Sequence, residues 1–184
     1  MRATRRAAPA HAGRGADRSY TIRSARLSDA AGIAEVARDT WNDTYADSVA
    51  PHNRQSFLDQ AYTSQVLHTA IRDERGWFYV AEQARVVGYA QYLRRFDDQG
   101  ELVRLYVHPD HQRRGIGRAF LAAGLRAMAT AGMRDCYVSV EASNAGARAF
   151  YERFDFRPVR EYGRFLGDQI IRLVEYVATI PSLG

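Results

Sequence analysis

The segment Gln112-Arg113-Arg114-Gly115-Ile116-Gly117 has the makings of an anion site. It follows a β-rich run, 102–107, that Pro109 stops, and it opens a long alanine-rich run of helical character. The first turn of a helix leaves several backbone N–H groups without partners. Glycines at 115 and 117 permit positive φ and close approach, so those N–H groups can converge on one anion beside the positive end of the helix dipole. Arg113, Arg114 and Arg118 add charge nearby. The chemistry expected is a grip on a phosphate-rich ligand. Two other phosphate loops are excluded. A P-loop needs the lysine of GxxxxGK, and this chain contains no lysine. A dinucleotide fingerprint needs a third glycine, where this chain has Phe120.

Other reactive residue types are weaker. His108, Asp110 and His111 have ligand chemistry, but they fall in the loop feeding the phosphate turn and read as solvated loop residues; no metal is expected. Ser139, Glu141 and the histidines form no recognisable nucleophilic triad. Asp39, Asp43 and Asp47 recur every four residues, with Trp41 and Tyr45 among them. That pattern is either a solvated helix face over two buried aromatics or a set of carboxylates and ring faces suited to a cation.

Periodicity supplies the elements that position these residues. Residues 20–26 alternate as an opening strand. Ser28 and Asp29 start a helix ending near Asp39, and a second helical region spans 51–72. Residues 76–82 and 85–94 read as a hairpin, and 97–100 turn into a strand over 101–108, giving a three-stranded meander. A helix over 116–131 ends at Gly132, a fifth strand covers 136–140, and a last helix covers 145–154. Strands over 157–164 and 170–178 close the sheet across a turn containing Gly167-Asp168. The fold class expected is mixed α/β of the α+β type.

Composition bounds the partners. The net charge of +5 is concentrated in residues 1–18, where five arginines stand against Asp17 for a net +4, leaving +1 for the remainder. Residues 1–18 read as a disordered basic tail and 19–184 as one domain. No nucleic-acid partner is expected of the folded part, and no run approaches a membrane span. Cys136 is the single cysteine, which suits a reducing cytoplasm.

The segment QRRGIG, together with Pro109 two residues past the strand, FLAAGLRAMA, YVSVEASN and NAGARAFYERFDF, resembles in order and spacing the GNAT superfamily of acetyl-CoA-dependent N-acetyltransferases. The resemblance is specific over about 101–160. It implies a mostly antiparallel sheet of about seven strands, splayed between the fourth and fifth, with helices on both faces. It implies acetyl-CoA as cosubstrate, its pantetheine arm lying in the splay along Leu105, Tyr106 and Val107. Gln112, Arg113, Arg114, Gly115, Ile116, Gly117 and Arg118 would hold the pyrophosphate, and Asn144 the pantetheine region. Asn144 also stands where a helix N-cap belongs.

By the same resemblance Glu101, eleven residues before Gln112, matches a general base, and Tyr151 matches the tyrosine that protonates the leaving thiolate. Glu141 is a lesser rival for the base. The acceptor amine would meet Trp41, Asp43 and Tyr45. The segments WNDTY, ELVRLYV and RFLGDQ are similar to the bacterial polyamine-acetylating branch, from which the chain departs at Gln169-Ile170-Ile171-Arg172. A small primary amine such as a polyamine is therefore the acceptor expected. A protein amino terminus or lysine, and a non-catalytic acyl-CoA-binding regulator, are the alternatives; the assembly is left open between monomer and homodimer.

Overall fold

The computed structural model describes residues 19–96 and 98–181; the basic tail of residues 1–18 lies outside the described residues, as does Asp97 of the turn expected at 97–100. Seven strands and five α-helices follow in the order β1 (Thr21–Ser24), α1 (Ala30–Thr44), α2 (Pro51–Ala61), α3 (Ser64–Arg72), β2 (Gly76–Gln83), β3 (Arg85–Phe96), β4 (Gln99–Val107), α4 (Ile116–Thr130), β5 (Asp135–Glu141), α5 (Ala145–Glu152), β6 (Arg157–Leu166) and β7 (Gln169–Thr179). They build the expected mixed α/β architecture. The sheet runs β1-β2-β3-β4-β5-β7-β6, and β4–β5 is its parallel pair.

The expected elements need three adjustments. Helix α1 continues past Asp39 to Thr44, because Ile33, Val36, Ala37, Thr40 and Trp41 extend one buried stripe at helical spacing. The helical region 51–72 is two helices; Thr63 starts the second, its hydroxyl accepting from Val66 N. Strand β4 begins at Gln99, since Arg134 N and Asp135 N both bond to Asp98 O and draw the turn into the sheet.

Two apolar clusters lie on opposite faces of the sheet. One gathers α1 to α3 over β2 and β3 through Ile33, Trp41, Leu58, Leu67 and Tyr89. The other gathers α4 and α5 over the centre through Phe120, Met128, Val138, Tyr151 and Tyr176. Helix α4 is seated closely. A Cβ on Gly124 would stand 2.2 Å from the Tyr92 ring, and Tyr92 donates its hydroxyl hydrogen to Phe120 O at 3.0 Å. That contact fixes where the first turn of α4 points.

Candidate active site

Strands β4 and β5 pair over only four rungs, from Gln99–Asp135 to Leu102–Val138. Beyond them the strands part. The parting coincides with a bulge: Arg104 faces Gln91 and Leu102 faces Tyr92, so Val103 is an extra residue without an opposite number on β3. A bulge bends its strand and increases the local twist, which turns β4 away from β5 at that point. A cavity of about 610 Å³ occupies the fork.

The cavity passes through the sheet. On one face its walls are Gly115, Gly117 and Arg118 of the α4 entry, with Asn144, Phe150 and Tyr151 of α5; on the other they are Thr40 and Thr44 of α1 with Tyr45. His108 N donates to Val87 O at 2.9 Å, so alternation gives the backbone of Tyr106 and His108 to β3. The backbone groups of Leu105 and Val107 therefore face the fork. An extended amide-bearing ligand can pair there as an added strand. Gln112 closes one end, its Nε2 donating to Val107 O at 3.1 Å.

The loop before α4 forms an anion cradle by a slightly different route from the one expected. Positive φ falls at Arg113 (61°) and Gly115 (85°), while Gly117 is already helical. Left-handed residues separated by one ordinary residue curl successive N–H groups into a concave nest. The role left to Gly117 is clearance, with Phe150 3.4 Å from where its Cβ would stand. Arg113, Arg118 and Arg153 are wall residues of the cavity and bring positive charge to it. Arg114 is tied back, donating to Asp110 O at 2.7 Å, and Ile116 is buried in the core. Nest, arginines and an open strand edge fit the diphosphate and pantetheine of a coenzyme A thioester.

A model of the acetyltransferase (GNAT) family matches residues 33–156. The chain belongs to the GNAT acetyltransferase family. It is thus an acetyl-CoA-dependent acetyltransferase. It is 24% identical over 144 residues to a spermidine N(1)-acetyltransferase of Thermoplasma acidophilum, covering 76% of this chain and 89% of that one. It is 30% identical over 132 residues to an uncharacterized N-acetyltransferase of Mycobacterium tuberculosis, covering 71% and 85%. Its fold is similar to the crystal structure of PaiA N-acetyltransferase from Thermoplasma acidophilum in complex with coenzyme A, with a TM-score of 0.75 at 23% identity over 85% of this chain and 98% of that one. The ribosomal-protein-S18-alanine N-acetyltransferase from Escherichia coli has the same fold, with a TM-score of 0.69 at 20% identity over 90% and 97%.

Within this GNAT frame, Tyr151 lines the cavity with 6% exposure, packed edge-on against Phe150 and Phe156. Burial raises the pKa of its hydroxyl, with the Cys136 thiol and Tyr45 acting the same way. Asn144 takes up the N-cap role expected of it, accepting from Ala147 N at 2.9 Å; the group it can still offer a ligand is its Nδ2 donor. Glu101 stands one rung short of the fork, opposite Tyr137 and Leu93, and half-buried. Alternation along β3 places it on the same face as Arg104 and Tyr106, the face covered by α1 and α2. Tyr106 sends its side chain to that face, its hydroxyl 3.5 Å from that of Tyr45.

The acceptor residues are spread apart. Tyr45 lines the cavity, Trp41 is buried beneath it against Phe57, and Asp43 is exposed outside the lining. His108, expected in solvent, is 14% exposed and sits 3.3 Å from Asp39. Among the described residues no three His, Cys, Asp and Glu side chains gather as a metal cluster. Sequence reasoning overlooked Arg153, His111 and Thr40 as wall residues. Arg153 lies two residues after Tyr151, at the C-cap of α5.

Proposed function

We propose that this acetyltransferase passes an acetyl group directly from acetyl-CoA to the primary amine of a small acceptor, with no acyl-enzyme. One observation carries the reading: the fork is a passage through the sheet with an anion cradle at one mouth and a polar, aromatic wall at the other. A thioester held from the α4 and α5 face presents its acetyl carbon to a reactant entering from the α1 face. Bringing the two together supplies most of the acceleration. The chain's one thiol is no nucleophile for a covalent route: Cys136 is fully buried, and burial pushes it up to about 12.

Acetyl-CoA contributes an activated acyl group and a good leaving thiolate. The residues do the rest. A strand N–H of β4 at the fork polarises the carbonyl. Glu101 takes the proton of the arriving ammonium, through a bridging water, since it stands behind the cavity wall rather than in it. Tyr151, kept protonated by burial, returns a proton to the departing sulfur. A polyamine is the acceptor favoured by the similarity to the spermidine acetyltransferase. Glu101 and Glu141 lie on the acceptor face, where carboxylates would hold ammonium groups. A reducing cytoplasm is the compartment that suits the lone thiol.

Thiol release from acetyl-CoA, followed across polyamines, aminoglycosides, amino acids and peptides, tests this. Turnover of small amines is expected. Turnover of peptides alone would make the chain a protein modifier, and cofactor binding without release would make it a regulator.

A further inference from the structure

On the acceptor face of the fork, Ser139 Oγ and Tyr162 OH lie 2.8 Å apart and half-buried. The register places this pair beside the reaction path. Tyr137 stands opposite Glu101, and alternation puts Ser139 on the same face, one residue past Val138 where the strands part. Ser139 lines the cavity. Two residues along a strand and one strand across separate the backbone positions of Glu101 and Ser139 by about 8 Å on this face.

Tyr162 is held from behind. Strand β6 is an exposed edge, along which Tyr162 and Leu166 are the half-buried residues. The Arg160 guanidinium lies 5.0 Å over the Tyr162 ring and donates through Nε to Glu175 Oε2 at 2.7 Å. Glu175 is 7% exposed, faces Ser139 across the β5–β7 pair, and also accepts from Arg95 at 3.0 Å. Arg95 in turn covers the Tyr137 ring at 4.6 Å. A buried carboxylate fixed by two arginines is a stiff support for a hydroxyl at an otherwise loose edge.

We propose that Ser139, oriented by Tyr162, is the positioning residue for the acceptor amine. Either hydroxyl can donate across the 2.8 Å contact; with the Ser139 hydrogen on Tyr162 OH, the free lone pairs of Ser139 accept an N–H of the amine and turn the nitrogen lone pair toward the acetyl carbon. Tyr162 acts only through Ser139. This rests on the direct-transfer reading and adds to it the group that aims the nucleophile.

The test compares steady-state constants for the best small amine of the panel, and calorimetric affinity for acetyl-CoA, in the full chain and in Ser139→Ala, Ser139→Thr, Tyr162→Phe and Ser139→Ala/Tyr162→Phe. Ser139→Ala is expected to lower kcat/KM for the amine about 10-fold, the size of one neutral hydrogen bond, with acetyl-CoA affinity unchanged. Tyr162→Phe should lose about 3-fold, and the double variant no more than Ser139→Ala alone, because both changes remove one arrangement. Ser139→Thr should recover most of the loss. Wild-type kcat/KM in Ser139→Ala, or a parallel loss of acetyl-CoA affinity, overturns the positioning role and leaves direct transfer standing. A wild-type chain that binds acetyl-CoA but turns over no small amine overturns both.

Discussion

In the mechanism proposed above, Tyr151 and Glu101 carry opposite halves of the proton traffic, and their surroundings make the two roles separable by pH. An alkylamine with a pKa of about 10.4 is neutral roughly once in 10³ molecules at pH 7, so removing its proton is a large part of the barrier. Glu101→Gln is expected to lower kcat/KM for the amine by about 10² at neutral pH. The loss should shrink as pH rises toward the amine's own pKa, where free amine no longer needs a base; a pH–rate profile of both proteins checks this. Tyr151 behaves differently. Burial raises its pKa, so it remains a proton donor throughout the range in which the enzyme is stable. Tyr151→Phe should cut kcat by about 10² by a pH-independent factor, with calorimetric cofactor affinity unchanged. Both candidates come from the resemblance to the family, through the eleven-residue spacing to Gln112 and the segment NAGARAFY. Ser139 was visible only as a serine in a strand. Its place beside the fork depends on the rung at which β4 and β5 part, and a one-rung difference would turn it away.

The loop before α4 was the most legible element, because glycines, arginines and a helix start are local signals. What the sequence blurred was the division of labour between its glycines. Gly115 takes the left-handed conformation, and Arg113 takes the other positive φ that pattern reading assigns by default to a glycine. Gly117 is helical, and a Cβ there meets only ordinary contact with Phe150. Alanine also favours a helix over glycine by up to about 1 kcal/mol. Gly117→Ala should therefore keep or slightly raise Tm while it weakens coenzyme A binding, because in the proposed binding mode the methyl group stands where the backbone approaches the ligand. Thermal melts and calorimetric titration of the same sample separate the two effects; a fall in Tm would show that the clearance serves packing instead. The extent of α1 was less legible for a reason of the opposite kind. Asp39 and Asp43 advertise a polar surface, whereas the helix is carried onward by Thr40 and Trp41, whose burial depends on Phe57 and Tyr106 from elsewhere in the chain.

Across the whole molecule, the site depends on a seam between helix and sheet. The wings β1–β4 and β5–β7–β6 meet through four rungs, and α4 lies over the central strands with its first turn at the cofactor mouth. The position of that turn is set eight residues along the helix from Ile116, where Gly124 lets the axis approach the ring of Tyr92. An alanine there puts a methyl carbon 2.2 Å from Tyr92 Cζ, in a region where the ring is fully buried and its hydroxyl is tied to Phe120 O. Neither partner can yield without moving the helix. Overpacking of this kind costs about 1–3 kcal/mol, or a fall in Tm of roughly 3–10 °C for a chain of this size. Gly124→Ala should also weaken coenzyme A binding, although the residue is remote from the cavity wall, since displacement of α4 carries the nest with it. Gly117→Ala separates affinity from stability, and Gly124→Ala should lower them together. If Gly124→Ala loses stability yet binds coenzyme A with wild-type affinity, the cradle is held by its own loop, and the seating of α4 on β3 has no part in it.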